Sequence, residues 1–385
     1  MLRGNRTVEW TTLAAAFRIN CICLLPMPIE ITFSDMEFQV LHLCRIVRGG
    51  LNDEASWPFT RPDLFVLLTL CSGTVTCSDP RDRVFAVLGL ARDGEELGIT
   101  ADYNRTYEDV LLDVTTRMIE RKGKLKPLDF LSSENPDNEQ RLPSWVCRWP
   151  GVTGDIDGCN AKGDWSGDVH FSADRHHMFL PGIHVTRIVQ AMPAFRFRLM
   201  GILNSSHLSQ IESTVAAARV HQPRPFPCNF ATDKVLAETL CASQLVGDSG
   251  GTWTRAIDDL LDLITMAKQH LQWGRSNEGT GIKLLSLTKN LAEDQKEAVE
   301  RIIYRSNLYV RAICMTEDAG ICLAPQNAKP GDIVTILRGG ENLYVLRPAG
   351  GEYRYVGDAY MHGYMNGEAT MEPDWEQKIE EITLI

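Results

Sequence analysis

The spacing of apolar residues changes near Leu308, and this change constrains the fold more than any other feature of the sequence. Before Leu308, apolar side chains recur every three or four residues, which is typical of amphipathic helices. After it they alternate with a period of two, and turns containing Gly320, Gly339 and Gly350 separate short apolar segments. Strands so closely and regularly spaced predict an antiparallel meander or a small barrel. The predicted strands cover residues 308–314, 333–337, 343–346 and 353–356.

The first 150 residues are predicted to be mainly helical. Thr106 is expected to cap one helix, because Asp109 follows three residues later and leucine, valine and methionine then lie on one face. Proline and glycine bound several of the other segments, as expected at helix ends. The predicted helices cover residues 8–26 (with an extended end), 34–47, 61–70, 80–88 and 107–121.

A stretch with five glycines and four aspartates, residues 151–168, is predicted to be an exposed connection between two domains. Short strands are expected at 169–172, 178–180 and 183–189, followed by a helical insertion over about 205–305. The sequence therefore predicts an α+β protein, in which a helical part (1–150) precedes a β-rich unit (169–370) that contains this insertion. Residues 371–385 are interpreted as a tail.

Charge and composition exclude several functions. The formal net charge is −11 and no long basic run occurs, which argues against nucleic acid as a partner. The 11 cysteines include no Cys-x-x-Cys pair, and most have apolar neighbours, so reduced thiols in a cytoplasmic protein are expected. The longest apolar run, residues 64–71, is much shorter than the roughly 20 residues of a membrane span. Protein partners remain the favoured kind.

Three short patterns suggest chemistry, but none is complete. Residues 247–251, GDSGG, resemble a protease nucleophile loop, yet no suitably placed histidine accompanies them. A calcium loop beginning at Asp155 fails because its sixth and twelfth positions are Asn160 and Ser166. The histidine-rich stretch 170–177 is interpreted as an exposed hairpin. The sequence predicts no cofactor and no metal site.

Four segments carry a family resemblance. They are CSDPRDRVFAVLGLA at 77–91, ADYNRTYEDVLLDV at 101–114, LPSWVCRW at 142–149, and a final group comprising PGDIVTIL at 330–337, YVLRP at 344–348 and VGDAYMHGYMNGEA at 356–369. In order and spacing these segments resemble the C-terminal part of fungal heterokaryon-incompatibility (HET) proteins. The sequence departs from the family at Cys147 and Arg148, where Pro and Asp are usual, and at Gly73, near a position that is usually basic.

The resemblance implies a role in non-self recognition and programmed cell death. The N-terminal core motifs of the family do not occur in this sequence, and residues 8–16 resemble the segment that follows them, so a truncated protein is expected. HET cores resemble TIR domains, some of which cleave NAD, and the resemblance assigns that activity to the core. The prediction is therefore a non-catalytic scaffold or regulatory portion. The alternatives are a divergent NAD-cleaving enzyme and an interaction module that acts in trans.

The most chemical-looking motif within these segments is Asp79-Pro80-Arg81-Asp82-Arg83. Its structural interpretation is a helix start with a cap and a proline in the first turn, where acidic residues complement the helix dipole. Arg81 or Arg83 would then pair with Asp109 or Asp113. The alternative interpretation is a surface that binds a partner.

The other candidate residues lie further along the chain. Trp145 and Trp149, near Pro143 and Pro150, suggest an anchor that packs into a groove, with simple aromatic burial as the default. Asp332 lies in the PGDIVTIL segment. Polar residues in a glycine-containing turn after the last predicted strand, interpreted as structural, are Tyr360, His362, Asn366 and Glu368.

Overall fold

The computed structural model divides the chain into two compact units, residues 1–103 and 104–385. It describes residues 2–3, 6–7, 62–71, 77–130, 142–149, 156, 159–165, 167, 169–195, 197–220, 232–242, 255–273, 281–306, 308 and 311–385. The predicted helices at 8–26 and 34–47, the GDSGG pattern at 247–251 and much of the connection at 151–168 lie outside these residues.

The first unit contains three described helices and a short strand pair. The strands β1 (Leu2–Arg3) and β2 (Arg6–Thr7) are antiparallel. The helices are α1 (Leu64–Cys71), α2 (Asp82–Leu88) and the single turn α3 (Gly94–Leu97). The buried Asp93 carboxylate accepts a hydrogen bond of 2.7 Å from the Leu64 amide and so caps the start of α1. The predicted helices at 61–70 and 80–88 correspond to α1 and α2.

The second unit opens with α4 (Tyr107–Lys122), whose start follows directly from the sequence. The Asp109 amide donates to the Thr106 hydroxyl at 3.1 Å, and the Thr106 amide donates back to the Asp109 carboxylate at 3.3 Å. This reciprocal capping box is the predicted one. Gly123, with φ 57°, ends the helix in the left-handed conformation that favours glycine. A 3₁₀ turn, Lys126–Phe130, follows.

Six strands of the second unit close into a ring. The strands of the unit are β3 (His170–Phe171), β4 (Met178–Ala191), β5 (Arg311–Thr316), β6 (Ile321–Pro325), β7 (Ile333–Leu337), β8 (Leu343–Ala349), β9 (Glu352–Met361) and β10 (Ile379–Leu384). The pairing order around the ring is β4, β5, β6, β9, β8, β7 and again β4, with every pair antiparallel. Because the ring is closed, each of its six strands pairs with two neighbours in the ring.

The long strand β4 makes this closure possible. Its first half pairs with β3 and β10, and its second half reaches β5 and β7. Gly182 lies where β4 pairs with both β10 and β7. A Cβ atom at this position would lie 2.7 Å from Cγ1 of Ile382, which is too close for a larger side chain. The sequence predicted two strands at 178–180 and 183–189, whereas the chain continues through Pro181 and Gly182 as one strand.

The helical insertion lies between β4 and β5. It comprises α5 (Ser205–Val220), α6 (Thr232–Leu240), α7 (Ala256–Trp273) and α8 (Glu293–Arg305), with 3₁₀ turns at Leu284–Ser286 and Thr288–Asn290. Helix α6 packs against β6 and α5 against β5. Apolar residues of the helices and the barrel form one continuous buried core, so the insertion covers one side of the barrel.

The fold is therefore α+β, with helices preceding and covering an antiparallel barrel, as predicted from the sequence. Two details differ from the expectations. Residues 104–149 belong to the barrel unit, although they were predicted to belong with the N-terminal helices. Part of the expected tail at 371–385 forms the strand β10, which follows two 3₁₀ turns, Glu368–Met371 and Trp375–Lys378. Within the described residues, no helix combines the length and apolar character that crossing a membrane requires.

Candidate functional site

The charged motif at the start of α2 is held by its own side chains. The Asp79 carboxylate accepts hydrogen bonds from the Arg81 amide at 3.0 Å and from the Arg81 guanidinium at 2.9 and 2.7 Å. The Arg81 guanidinium also donates to the Tyr103 carbonyl at 2.6 Å, and the Tyr103 hydroxyl donates to Asp82 at 2.5 Å. Hydrogen bonds from Arg81 lower the pKa of Asp79. Asp79, Arg81 and Asp82 are thus engaged within one turn, while Arg83 is exposed.

The start of α2 differs from the predicted helix by two residues, because the helix begins at Asp82 rather than at Pro80. The Asp79 carboxylate accepts a hydrogen bond from the Arg81 amide two residues ahead, which is the bond that a capping aspartate makes. The ion pair found for Arg81 is with Asp79.

Asp113, one of the partners proposed for Arg81 or Arg83, pairs within its own unit with three arginines. The distances are 2.9 Å to Arg105, 2.6 Å to Arg117 and 3.0 Å to Arg175. Asp113 is buried, yet hydrogen bonds from Arg117 and Arg105 outweigh the cost of burial and lower its pKa. Arg175 lies in the turn between β3 and β4 with a φ of 60°. The ion pair between Asp113 and Arg175 therefore attaches the β3–β4 hairpin to α4.

The two candidate tryptophans lie in the core. Trp145 is fully buried and its ring centroid lies 5.3 Å from that of Phe171 on β3. Trp149 is 4% exposed and adopts a φ of 44°, which is uncommon for a residue other than glycine. A partner could therefore contact neither indole ring unless the fold rearranged.

The segment around Trp145 joins distant parts of the second unit. The Ser144 hydroxyl donates to the Ile385 carbonyl and accepts a hydrogen bond of 2.7 Å from the Tyr355 amide. The Cys147 amide donates to the Thr115 hydroxyl of α4 at 3.2 Å. Burial raises the pKa of the Cys147 thiol to about 12, so this thiol stays protonated. The LPSWVCRW segment therefore holds α4, β9 and the end of β10 together.

Asp332 fixes the turn before β7. Its buried carboxylate receives two hydrogen bonds from the Arg347 guanidinium, at 2.8 and 3.0 Å, and one from the Lys329 amide at 2.8 Å. Such a two-point contact matches the planar guanidinium to the carboxylate. Asp332 thus links the turn to β8.

Tyr360, which was predicted in the turn after the last strand, lies on β9 itself, and the turn after β9 contains the remaining candidates. Nδ1 of His362 lies 2.8 Å from Oε2 of Glu238 on α6, which ties the end of β9 to the helical insertion. The Glu368 carboxylate accepts hydrogen bonds from the Asn366 amide at 2.6 Å and from the Asn366 side chain at 3.1 Å. His362 and Glu368 therefore take part in separate local contacts.

A buried polar cluster between the barrel and the 3₁₀ turn Lys126–Phe130 was missed by sequence reasoning. The Arg311 guanidinium on β5 donates to the Asp358 carboxylate of β9 at 2.7 Å and to its carbonyl at 2.8 Å. The Asn342 amide donates to the same carboxylate at 3.2 Å. The Tyr344 hydroxyl on β8 donates to Asp129 at 3.1 Å. The barrel register places Tyr344 directly opposite Asp358.

The electrostatics of this cluster are unusual because it holds two buried carboxyl groups. Burial raises the pKa of Asp129 to about 7, and the nearby Asp358 charge adds to the effect. Burial also raises the pKa of Asp358, although Arg311 opposes the shift. The phenols of Tyr344 and Tyr355 have pKa values well above their usual value for the same reason. One signal of this cluster was present in the sequence, because Asp358 lies within an otherwise mostly apolar segment and a buried carboxylate requires a partner.

These features define a small closed antiparallel barrel with an internal ion pair and a helical cover. Residues 264–378 match the family model of the Het-6 β-barrel domain. The match includes five of the six ring strands, from β5 to β9, while β4 comes from residues before it. The C-terminal part of the chain is therefore similar to heterokaryon-incompatibility proteins in the region of their Het-6 β-barrel domain, which confirms the predicted resemblance.

One curated relative is Heterokaryon incompatibility protein 6, OR allele, of Neurospora crassa. It is 39% identical over 145 residues, which cover 33% of this chain and 21% of the relative. The chain thus matches about a fifth of that protein's length. No solved structure matches the chain.

Proposed function

We propose that the chain acts as a non-catalytic scaffold or regulatory portion of a fungal incompatibility protein, in non-self recognition and programmed cell death. The family match and the Neurospora crassa relative support an incompatibility-related role. The proposal rests on the observation that side chains of the family motifs make contacts inside the fold. Asp79 bonds Arg81, Asp332 bonds Arg347, and Trp145 is fully buried.

Each of these contacts lies within the fold and stabilises it. A catalytic carboxylate must reach its substrate, and the Asp332 and Asp358 carboxylates are 2% and 3% exposed and bonded to arginines. The family segments of the second unit therefore act in building the barrel and joining α4 to it. This use of the motifs favours a scaffold over an active site.

Burial raises the pKa of the Asp129 carboxyl to about 7, and a pKa near neutrality is a property that catalytic acids share. It is 5% exposed and lies beneath Tyr344, so a substrate would reach it only if the 3₁₀ turn left the barrel. Asp129 is therefore the residue on which an enzymatic alternative would depend, and it supplies the sharpest test.

The partners in this proposal are other incompatibility proteins in the cytoplasm. With a net charge of −11, nucleic acid is disfavoured as a partner because a phosphate backbone would be repelled. The barrel supplies a rigid frame, and the partner would bind exposed residues of that frame or of its helical cover.

The experiment is an NAD-cleavage assay on the purified chain, with Asp129→Asn and Asp358→Asn as matched variants. We expect no release of nicotinamide above a buffer control for any of the three proteins. Clear turnover by the original chain that disappears in Asp129→Asn, with the fold preserved by circular dichroism, would replace the scaffold with an enzyme. Turnover that survives in both variants would place an active site elsewhere and would equally contradict the proposal.

A further inference from the structure

The 3₁₀ turn Lys126–Phe130 is docked on the barrel by two tyrosines. The Tyr355 hydroxyl donates to the Leu128 carbonyl at 2.7 Å, and the Tyr344 hydroxyl donates to the Asp129 carboxyl at 3.1 Å. Leu128 is fully buried. The turn is therefore attached through both an apolar side chain and two phenolic hydrogen bonds.

The charge on Asp129 is poorly compensated. Its nearest cation is the partly exposed Lys126 ammonium at 3.4 Å within the same turn. Arg311 bonds Asp358 through two hydrogen bonds, and the Asp358 carboxylate is itself a nearby negative charge. An ionised Asp129 would thus lie buried beside a second carboxylate, which is costly.

The titratable and charged groups around Asp129 come from every element packed there. They are Lys126 on the turn, Tyr344 on β8, Tyr355 and Asp358 on β9, Arg311 on β5 and Cys147 on the 142–149 segment. The tyrosine and cysteine pKa values are raised, so these groups stay neutral near pH 7. The occupancy of the proton on Asp129 therefore changes between acidic and neutral pH.

We propose that the turn Lys126–Phe130 is a proton-controlled latch on the barrel, held most tightly when the Asp129 carboxyl is protonated and loosened when it is ionised. The latch follows α4 and contacts β8 and β9, so its release would remove one of the attachments of α4 to the barrel, while Arg175 and Cys147 would still hold Asp113 and Thr115 of that helix. This inference concerns regulation and stands independently of whether the chain is catalytic.

The direction of the pH effect follows from linkage. The docked carboxyl has a pKa of about 7, whereas an undocked, solvated aspartate has its ordinary value of 3.8. Between these values only the docked state holds the proton, so raising the pH favours opening about tenfold per pH unit. Above pH 7 both states are ionised and the effect levels off. The full change between pH 4 and 7 is at most about a thousandfold.

The test is hydrogen exchange of the amides of Lys126, Leu128, Asp129 and Phe130 between pH 5 and 8, measured by mass spectrometry and corrected for the intrinsic exchange rate. We expect protection to fall about tenfold per pH unit up to pH 7 and then to become constant. Asp129→Asn should remove this dependence, because an amide cannot ionise. Asp332→Asn, which changes another buried carboxylate, is the matched control and should retain it.

Two results would overturn the latch. One is protection in the original chain that does not change between pH 5 and 7. The other is an equal change in the amides of β5 and β6, which would indicate opening of the whole barrel rather than release of the turn. Should Asp129→Asn fail to fold, Tyr344→Phe provides a second variant. It removes the hydrogen bond to Asp129 and should raise exchange of the turn while leaving β5 and β6 protected.

Discussion

Removal of the Arg311 guanidinium tests whether the internal ion pair holds the barrel. Arg311 and Asp358 have side chains that are each 5% exposed, and they are joined at 2.7 Å. Arg311→Met keeps an apolar stem of similar length but leaves Asp358 buried without its cation. Breaking a buried pair in this way costs about 3 to 5 kcal/mol. For a unit of this size, that corresponds to a fall in Tm of roughly 5 to 9 °C.

The assay is thermal or urea unfolding of Arg311→Met, Asp358→Asn and the double variant. The double variant should be more stable than the sum of the two single losses implies, because it leaves no buried charge. The control is Arg354→Met, which changes an exposed arginine on β9, the strand of Asp358. It should alter stability by about 0.5 kcal/mol or less. A loss below about 1 kcal/mol for Arg311→Met, or strict additivity, would refute the reasoning.

The same variant has a predicted pH dependence. Without the guanidinium, the pKa of Asp358 should rise further than burial already raises it. An acid with a raised pKa in the folded state loses stability as pH rises, so the deficit of Arg311→Met should be smaller at pH 5 than at pH 7. Unfolding measured at both values, relative to the original chain, checks the sign.

Three substitutions test the packing elsewhere. Phe85→Ala should cost roughly 3 to 5 kcal/mol, because the ring is buried and lies edge-on to Tyr103 at 5.2 Å, whereas the exposed Arg83→Ala should cost little; equal melting of the two would contradict this. Trp145→Ala should likewise cost about 3 to 5 kcal/mol, and unchanged Tm would show that the indole is not core. Gly182→Ala should cost about 1 to 3 kcal/mol by crowding its neighbours, and a neutral result would contradict the close approach of β10 to β4.

Local features of the fold were predictable where local physics decides them. The Thr106 cap and the helix after it depend on residues three and four positions apart, so the sequence contains the whole signal. The predicted strand at 333–337 matches β7, because glycine turns flank it and four of its five residues are β-branched.

Two strands of the second unit were missed for identifiable reasons. Every residue of β6 (Ile321–Pro325) is buried, so the strand lacks the alternation that marks a half-exposed sheet. Strand β10 carries Glu380 and Glu381 on a short segment, which resembles a polar tail. Its strand character arises from pairing with β4, almost 200 residues earlier in the chain.

The buried cluster was unpredictable for a related reason. Arg311 and Asp358 are 47 residues apart, and Asp129 and Tyr344 are 215 apart. Only closure of the ring and docking of the turn bring them together, and neither leaves a local pattern. The motif residues were recognised, but their contacts depend on tertiary packing: Asp332 pairs with Arg347 because the chain reverses between β7 and β8.

The scaffold proposal is tested most directly by inducible expression in a fungal host with growth as the readout. One strain expresses this chain alone, a second expresses it joined to a complete HET core, and a third carries Arg311→Met in the joined form. We expect normal growth from the chain alone, arrest from the joined protein, and reduced arrest when the barrel is destabilised. Strong arrest from the chain alone, at levels where its Phe85→Ala variant is harmless, would contradict the scaffold account and show that the folded chain is itself the effector.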